Sequence, residues 1–302
     1  MSIKSKAKEI ISWIAEIYYE FSWKISTNRT KGMCLNSTLR SEKIVVSLTS
    51  FPGRIHIVGK TIQTILNQKE IKPDYVELWL AEEQFPNKEK DLPQHLLSLV
   101  DYGLTIRWTV DLRSYKKLIP AYIEHTDAII VTADDDVYYR RNWLQILVSE
   151  YRKHPADIQC HKVTKFIETD TGVDAIGGGK DYYHMPSYLN KLVGVGGVLY
   201  PVDSLDAEVI KSDVFMHLAP TNDDIWFWLM AVKKGTLIHA VNPNYPKPID
   251  VFGSNETAKL TSINDQGEML FWKQYKALLA YYPEIKSKLE EEFKKVRVGE
   301  LT

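Results

Sequence analysis

Three adjacent carboxylates give the clearest chemical signal in this chain of 302 residues. Asp134, Asp135 and Asp136 directly follow an apolar, β-branched run, so they lie at the end of a predicted buried strand. Neighbouring negative charges repel one another, and a divalent cation such as Mg²⁺ or Mn²⁺ relieves that repulsion while also binding phosphate oxygens. On an extended backbone, Asp134 and Asp136 point to one side and Asp135 to the other. The triplet predicts a metal site, with a solvated acidic turn or helix cap as the alternative.

A second acidic pair, Asp223 and Asp224, precedes an apolar helical pattern that continues to Lys234. If Asp224 caps this helix, the helix macrodipole keeps its carboxylate ionised, as a general base requires. The same position also suits a cap without any catalytic role. The pair is therefore a second candidate site.

The elements that hold these carboxylates follow from hydrophobic periodicity. Apolar runs predict strands at residues 43–48, 75–80, 104–108 and 127–132. Helical patterns occupy residues 55–68, 224–234 and 267–302. The alternation predicts an α/β fold with a mainly parallel central sheet flanked by helices. Ligands of such sheets bind beyond the carboxyl ends of the strands, which here means the loops after Leu48 and Thr132.

Four segments are predicted along the chain: a helix at 1–25, a polar linker at 26–42, a main domain at 43–255 and a helical segment at 256–302. The first helix has an apolar stripe with helical spacing, made of Ala7, Ile10, Ile11, Ile14, Ile17, Tyr18 and Phe21. Two interpretations stay open for it. The helix packs on the main domain or a second subunit, or it lies in a membrane interface as a basic, aromatic-bearing helix.

Four stretches of this sequence resemble glycosyltransferases of the GT-A type. Residues 130–136 resemble their DxD segment, and residues 46–54 with 61–68 resemble the first strand, nucleotide loop and helix of the family-2-like members. Residues 117–121 are similar to a lysine-bearing segment of bacterial capsule and lipopolysaccharide transferases. Residues 221–226 resemble the acidic motif, often Glu-Asp, that supplies the base of inverting members, although Asp-Asp stands here.

The resemblance implies a GT-A (nucleotide-diphospho-sugar transferase) fold and a role for each matched residue. Asp136 and Asp134 would hold Mn²⁺ or Mg²⁺, and Asp224, with Asp223 as second choice, would be the catalytic base. The residues implied in nucleotide-sugar binding are Thr49, Ser50, Phe51, Arg54, Lys117, Asp134, Asp135, Gly196 and Gly197. For Arg54 and Lys117 the alternative is a surface cation, and for the glycines it is a tight turn.

The implied reaction is the inverting transfer of a hexose or N-acetylhexosamine, with UDP as the implied carrier, in surface polysaccharide synthesis. The acceptor would be a glycan or a lipid-linked glycan. Two other functions stay open: a nucleotidyltransferase that makes sugar nucleotides, and a non-catalytic nucleotide- or glycan-binding module. The loop at residues 49–54 has one glycine, which argues against the nucleotidyltransferase, whose loop is generally glycine-rich.

Composition and charge limit the classes of partner that we expect this protein to bind. The net charge of −1 gives no basis for binding nucleic acid through phosphate neutralisation. No run of about 18 apolar residues occurs, so we expect a cytoplasmic protein, with peripheral contact at the inner face of the cell membrane if the first helix binds lipid. His184, His217 and His239 are further candidate metal ligands. Trp226 and Trp228 are expected in the core rather than in an acceptor platform.

Overall fold

The computed structural model describes residues 3–26, 40–170, 172–177, 185–241, 245–254 and 270–297. Most of the predicted linker, residues 256–269 and His184 lie outside these ranges. The helices are α1 (Ile3–Ile25), α2 (Val58–Leu66), α3 (Gln94–Leu97), α4 (Ile119–Glu124), α5 (Trp143–Lys153), α6 (Ser212–Leu218), α7 (Asp223–Lys234), α8 (Leu270–Tyr281) and α9 (Pro283–Arg297).

The strands belong to a mixed α/β fold. They are β1 (Ile44–Thr49), β2 (Tyr75–Ala81), β3 (Leu104–Thr109), β4 (Ile129–Ala133), β5 (Val137–Tyr138), β6 (Ile158–Cys160), β7 (Val163–Thr169), β8 (Gly172–Gly177), β9 (Asn190–Leu192), β10 (Val198–Tyr200), β11 (Ile238–Ala240) and β12 (Ile249–Asp250). A seven-stranded sheet has the order β11-β6-β10-β4-β1-β2-β3. Its pairs are mainly parallel, which confirms the predicted fold class.

The chain forms two compact units, of which the first comprises Met1–Ile146 and Lys247–Ala258. In this unit β4, β1, β2 and β3 are neighbours and run parallel. Residues of β1 and β4 are almost wholly buried, as expected for central strands of a parallel sheet. From β1 the sheet grows to β2 and β3 on one side and to β4 on the other. The strand order therefore reverses between β1 and β4, which is where open α/β sheets bind ligands.

The second unit comprises Leu147–Pro246 and Lys259–Thr302. In it β6 pairs in parallel with β11 and antiparallel with β10, while β8, β7 and β9 form an antiparallel sheet. Helix α7 is buried along most of its length. The indole N–H of Trp226 donates to the carbonyl of Val209 at 2.9 Å, and that of Trp228 to the carbonyl of Tyr188 at 2.8 Å. Both tryptophans are core residues in this unit.

Helix α1 packs on the first unit with the face opposite its apolar stripe. Ala15 lies in a buried cluster with Tyr138 and Val251, and the Tyr19 ring stacks on Tyr138 with centroids 4.8 Å apart. Polar contacts on the same face are an ion pair of Glu16 with Lys60, an ion pair of Lys8 with Asp250, and a hydrogen bond of Asn67 to Ser22. Small, polar and aromatic residues thus form the packed face, where Trp23 is also buried, while the predicted apolar stripe stays exposed.

The stripe is exposed over most of its length. Its large side chains, which are all more than half exposed, are Ile10, Ile11, Ile14, Ile17, Tyr18 and Phe21, and Trp13 and Ile25 beside them are similarly exposed. Among the helices of the described residues, none combines the length and the apolarity that crossing a bilayer requires. The predicted boundaries at residues 25, 42 and 255 remain predictions.

Candidate functional site

The acidic triplet lies at the point of strand reversal in the first unit. Leu48 of β1 stands beside Ala133 of β4 in the parallel register. The next residues of both strands leave the sheet at the same edge, so Ser50 comes close to the triplet. The site therefore follows directly from the order of the strands.

Asp135 is the best-anchored carboxylate of the triplet. Its Oδ2 accepts a hydrogen bond from the Ser50 hydroxyl at 2.6 Å, and its Oδ1 accepts one from the Arg54 guanidinium at 2.8 Å. The side chains of Asp135 and Arg54 are only 8% and 12% exposed. Two residues of the predicted nucleotide loop thus bind the central aspartate of the predicted DxD segment.

Asp134 and Asp136 face different cations. The Lys117 ammonium lies 3.3 Å from Oδ1 of Asp134, and the Arg54 guanidinium lies 3.2 Å from Oδ2 of Asp136. Because Arg54 contacts both Asp135 and Asp136, the simple alternation expected from an extended backbone is wrong. Residues 135 and 136 form a bend rather than a strand, so the two-residue period of side chains is lost.

Two hydroxyl groups of helix α2 form hydrogen bonds with the backbone of the triplet and of the residues after it. Thr61 donates to the carbonyl oxygens of Asp135 at 3.1 Å and Val137 at 2.9 Å. The Thr64 hydroxyl accepts the N–H of Tyr139 at 3.1 Å. Sequence reasoning missed these positioning residues. The available signal was a row of polar residues on one face of an otherwise apolar helix.

Gln68 extends this row by one turn. Its amide nitrogen donates to the carbonyl of Arg140 at 2.9 Å, and its oxygen accepts the N–H of Leu144 at 3.0 Å. On the other side of the triplet, the Val251 N–H donates to the carbonyl of Asp136 at 2.8 Å. The backbone that carries the carboxylates is therefore held on both sides, which limits its movement when a ligand binds.

The remaining residues predicted in the nucleotide loop lie at the same edge of the sheet. The Thr49 hydroxyl donates to the carbonyl of Trp79 at 2.7 Å, so it ties β1 to β2. Phe51 is 37% exposed, and the guanidinium of Arg54 lies 5.6 Å from its ring centroid. A Cβ at Gly53 would come within 2.6 Å of the Phe51 ring. The loop thus presents an aromatic ring beside a buried cation.

Burial changes the protonation energetics of this cluster. The pKa of Asp135 is raised because burial disfavours its charge, although Arg54 and Ser50 act in the opposite direction. Burial lowers the pKa of Arg54, but the carboxylates outweigh it, so that the pKa is raised overall. The pKa of Tyr139 is raised by burial and then by Asp134. Tyr139 therefore stays neutral, and its hydroxyl accepts the N–H of Asp134 at 2.9 Å.

The residues of the triplet fit a hard divalent cation. They offer carboxylate oxygens, the ligand type that Mg²⁺ and Mn²⁺ prefer. Both oxygens of Asp135 already accept hydrogen bonds from Ser50 and Arg54. Asp134 and Asp136 each have one oxygen near a cation, and they remain the members predicted to hold the ion.

In the second unit, Asp223 and Asp224 begin helix α7. The cap of this helix is Asn222, whose side chain accepts the N–H of Ile225 at 3.1 Å, so the expectation that Asp224 caps the helix is wrong. Asp224 instead accepts the N–H of Gly194 at 3.0 Å through Oδ2. Asp223 is buried at 6% exposure. The first turn of α7 provides a favourable dipole for both carboxylates.

Gly196 and Gly197 have clear structural roles in the second unit. A Cβ at Gly196 would lie 3.1 Å from Cβ of His161 and 3.2 Å from Cβ of Lys162. Gly197 has a φ of 90°, in the region that favours glycine. The turn needs both glycines whether or not a sugar binds there, so their predicted donor contact stays a prediction.

The candidate histidines fall in three different situations. His217 is exposed on α6, and His184 lies outside the described residues. His239 is 9% exposed and stands near His154 and Glu150 in the second unit.

No family model matches this chain, and no curated protein matches it either. Solved structures do show similarity. S. aureus TarS residues 1–349 match at 12% identity and a TM-score of 0.41, over 66% of this chain and 58% of TarS. The mannosyltransferase PcManGT from Pyrobaculum calidifontis, in complex with GDP-Man and Mn²⁺, matches at 12% identity and a TM-score of 0.40, over 79% of this chain and 69% of that one.

A third structure belongs to a different class of transferase. The inositol-1-phosphate CTP transferase from T. maritima matches at 12% identity and a TM-score of 0.41, over 74% of this chain and 96% of that chain. The match thus spans 58% of the TarS 1–349 chain but nearly all of the CTP transferase chain. Similarity at this level does not decide between sugar transfer and nucleotidyl transfer.

Proposed function

We propose that this chain is a metal-dependent glycosyltransferase of the GT-A type that uses a nucleotide-sugar donor. The supporting observation is the arrangement at the reversal between β1 and β4. There Ser50 and Arg54 of one loop bind Asp135 of the next, with Lys117 at Asp134. Such an edge of an α/β sheet is where nucleotides bind. The donor is UDP-hexose or UDP-N-acetylhexosamine in this proposal.

The triplet divides its tasks between its members. Asp134 and Asp136 hold Mn²⁺ or Mg²⁺, which neutralises the negative charge that the diphosphate leaving group gathers. Asp135 keeps Arg54 and Ser50 in place. This division is supported by the contacts of Asp135, whose two oxygens are both engaged by the loop.

Arg54 and Lys117 support the diphosphate as cations. Both side chains are largely buried, at 12% and 8% exposure, so their charges are screened less than surface charges. Thr49, Ser50 and Phe51 form the nucleotide loop, with the half-exposed Phe51 ring available to contact the base or ribose. Gly196 and Gly197 complete the proposed set of donor-binding residues.

Asp224 is the proposed general base, with Asp223 as the second choice. A base of this kind takes the proton of the acceptor hydroxyl as it attacks the anomeric carbon. The fixed N–H of Gly194 orients Asp224, and the α7 dipole favours its ionised form. Attack on the face opposite the leaving group gives inversion of the anomeric configuration. An NMR spectrum of the product that shows retention would contradict this assignment.

The acceptor in this proposal is a glycan or lipid-linked glycan of a surface polysaccharide, such as a capsule or lipopolysaccharide, and α1 brings the enzyme to the inner membrane surface. The exposed stripe of α1, together with Trp13 beside it, spans about 160° of the helix circumference at 100° per residue. A coiled-coil partner covers only a narrower seam, whereas an interface of lipid headgroups covers a broad face. Lys6 and Lys24 are exposed at one side of this stripe, where anionic headgroups attract them.

Co-sedimentation with vesicles tests the membrane contact. We expect binding to phosphatidylglycerol vesicles and its loss in the Ile14→Lys/Ile17→Lys variant. Ile123→Lys/Ile210→Lys changes two comparably exposed isoleucines elsewhere and should bind as the wild type does. If the wild type and both variants bind the vesicles equally, the stripe does not bind lipid. If the wild type is a dimer that only Ile14→Lys/Ile17→Lys disrupts, the stripe binds a second copy of the protein instead.

A product assay tests the reaction itself. The protein is incubated with Mn²⁺ and a panel of nucleotide sugars, and release of the nucleoside diphosphate is measured with and without glycan acceptors. A parallel reaction with nucleoside triphosphate and sugar phosphate measures pyrophosphate. The proposal predicts diphosphate release from one donor class and no pyrophosphate.

Two aspartate variants make this assay specific for the triplet. Asp136→Ala should abolish diphosphate release. Asp127→Ala should retain it, because Asp127 lies before β4, is 72% exposed and pairs with Lys43. If the wild type releases pyrophosphate and Asp136→Ala does not, the result would favour the nucleotidyltransferase. Nucleotide binding without either product would favour the non-catalytic module.

A further inference from the structure

Three metal-ligating side chains converge within the second unit. They are Glu150 in the last turn of α5, His154 just after α5, and His239 on β11, and their ligating atoms all lie within 4.8 Å of one another. The N–H of His154 donates to the carbonyl of Glu150 at 3.0 Å, so helical geometry continues to His154. Residues four apart in a helix share one face. The pair from α5 is therefore presented together.

The pairing of β11 with β6 brings His239 to this face. His239 stands opposite Gln159 in the parallel register. The side-chain amide of Gln159 donates to the carbonyl of His154 at 3.1 Å, which fixes the end of α5 beside the two strands. The His154 and His239 rings meet edge to face with centroids 4.9 Å apart. The backbone thus holds all three groups in position.

The three side chains do not form hydrogen bonds with one another. Among the described residues no hydrogen bond joins any two of the three side chains, and the buried Nδ1 of His239 has no hydrogen-bond partner. Glu150 forms an ion pair with Lys153, which is 63% exposed. A buried imidazole normally has a partner for each ring nitrogen. Nδ1 of His239 therefore lacks the partner that a buried ring nitrogen normally has.

We propose that Glu150, His154 and His239 form a binding site for one Zn²⁺ or a similar borderline transition-metal ion. Two imidazole nitrogens and a carboxylate oxygen suit such an ion, with water at the exposed side as the fourth ligand. Bonds of about 2.1 Å in a tetrahedron place ligand atoms about 3.4 Å apart, so the three ligating atoms, which lie within 4.8 Å of one another, would move closer together on binding. The bound ion would join the end of α5 to β11 and stabilise the second unit.

This site differs from the acidic triplet in its ligands and does not depend on the proposed reaction. The triplet offers only oxygen ligands, which Mg²⁺ and Mn²⁺ prefer, whereas two nitrogens favour Zn²⁺ over Mg²⁺. Zinc binding can therefore be measured without nucleotide, sugar or turnover.

Isothermal titration with ZnCl₂ tests the proposal on tag-free protein stripped of metal with EDTA. An Asp134→Asn/Asp136→Asn background removes binding by the triplet. We expect one Zn²⁺ to bind this background protein. His154→Ala and Glu150→Gln, added singly, should weaken that binding at least tenfold. His154 is exposed, and Glu150→Gln keeps the size and shape of a partly buried side chain, so both variants should fold.

His217→Ala is the matched control, since His217 is an exposed histidine on α6 of the same unit. It should bind Zn²⁺ as the background protein does. A rise in Tm with Zn²⁺ that His154→Ala loses and His217→Ala keeps would support a bound ion in the folded state. The proposal is overturned if the background protein binds no Zn²⁺, or if His154→Ala and Glu150→Gln bind it with unchanged affinity and stoichiometry.

Discussion

The two acidic groups of this protein are held in different ways. In the first unit, Asp135 contacts a guanidinium at 2.8 Å and a hydroxyl at 2.6 Å, and Asp134 faces an ammonium at 3.3 Å. In the second unit, Asp224 accepts a backbone N–H at 3.0 Å in the first turn of a helix. Side chains can reorient around an incoming ligand, whereas a backbone N–H and a helix dipole stay fixed.

The difference suits two chemical tasks. A cluster that binds a cation and a diphosphate needs partners of both signs that can exchange contacts during binding. A carboxylate that takes up a proton needs an environment that keeps it ionised until the proton is transferred, which the dipole at the start of α7 favours. The comparison predicts that changes in the first unit alter stability and ligand binding, and that changes at Asp224 alter turnover.

The largest expected effect is on turnover in Asp224→Asn. Removing a general base lowers the rate by about 10²–10⁴. Nucleotide affinity should stay within about twofold, since the acidic triplet is unchanged. Steady-state rates and nucleotide titration on the same sample measure both quantities. Asp223→Asn serves as the comparison and should lose less activity; a larger loss there would exchange the roles of the two aspartates.

Arg54→Ala should cause the next largest effect, on stability. Its removal leaves the buried Asp135 without its cation, and breaking such a pair costs about 3–5 kcal/mol. Urea unfolding measures the change. Lys43→Ala breaks an exposed ion pair with Asp127 in the same unit and should leave the unfolding midpoint unchanged. Equal midpoints for all three proteins would show that the Asp135–Arg54 pair does not stabilise the fold.

A smaller effect is expected from Thr61→Val, which removes a hydroxyl while keeping the side-chain shape. The carbonyl oxygens of Asp135 and Val137 then lose a donor, which costs about 1–3 kcal/mol. Mn²⁺-dependent nucleotide binding should weaken as well, because the triplet backbone is less firmly held. If stability falls but binding does not, the hydroxyl is structural and does not position the triplet.

The smallest effect is the pH dependence that Asp135 contributes. Its pKa is raised in the folded state by burial, so the folded protein retains this proton to higher pH than the unfolded chain. Stability from this group is complete below the unfolded pKa of about 3.9 and is lost as pH rises through the folded pKa. Relative to Asp135→Asn, the wild type should therefore lose stability from pH 4 upward. A difference that is constant with pH would contradict the raised pKa.

The central strands could be predicted because a strand that is buried on both faces has a continuous apolar sequence. Both faces of β1 and β4 are covered, so Ile44, Val45, Ile129 and Ile130 stand in continuous apolar runs. The position of the acidic triplet followed, because a strand end is visible in sequence. The pairing of Asp135 with Arg54 did not follow, since it depends on β1 and β4 being neighbours.

Helix α1 shows where pattern reasoning fails. An amphipathic helix normally packs its apolar face against the core. Here Ala15, Ser22 and the ring of Tyr19 lie on the packed face, and the isoleucines stay exposed. Hydrophobicity alone cannot separate a face that packs on the protein from one that awaits another partner. Asn222 was missed as the α7 cap because it stands among four consecutive polar residues, Thr221 to Asp224, each of a type that caps helices.

The central claim, a metal-dependent nucleotide site at the acidic triplet, is tested most directly by isothermal titration. UDP, GDP, CMP and dTDP are titrated with and without Mn²⁺ into the wild type, Asp136→Ala and the control Asp127→Ala. We predict that one nucleotide binds only with Mn²⁺, that Asp136→Ala loses this binding, and that Asp127→Ala retains it. Binding that is independent of the metal, or equal in Asp136→Ala and wild type, would contradict the claim.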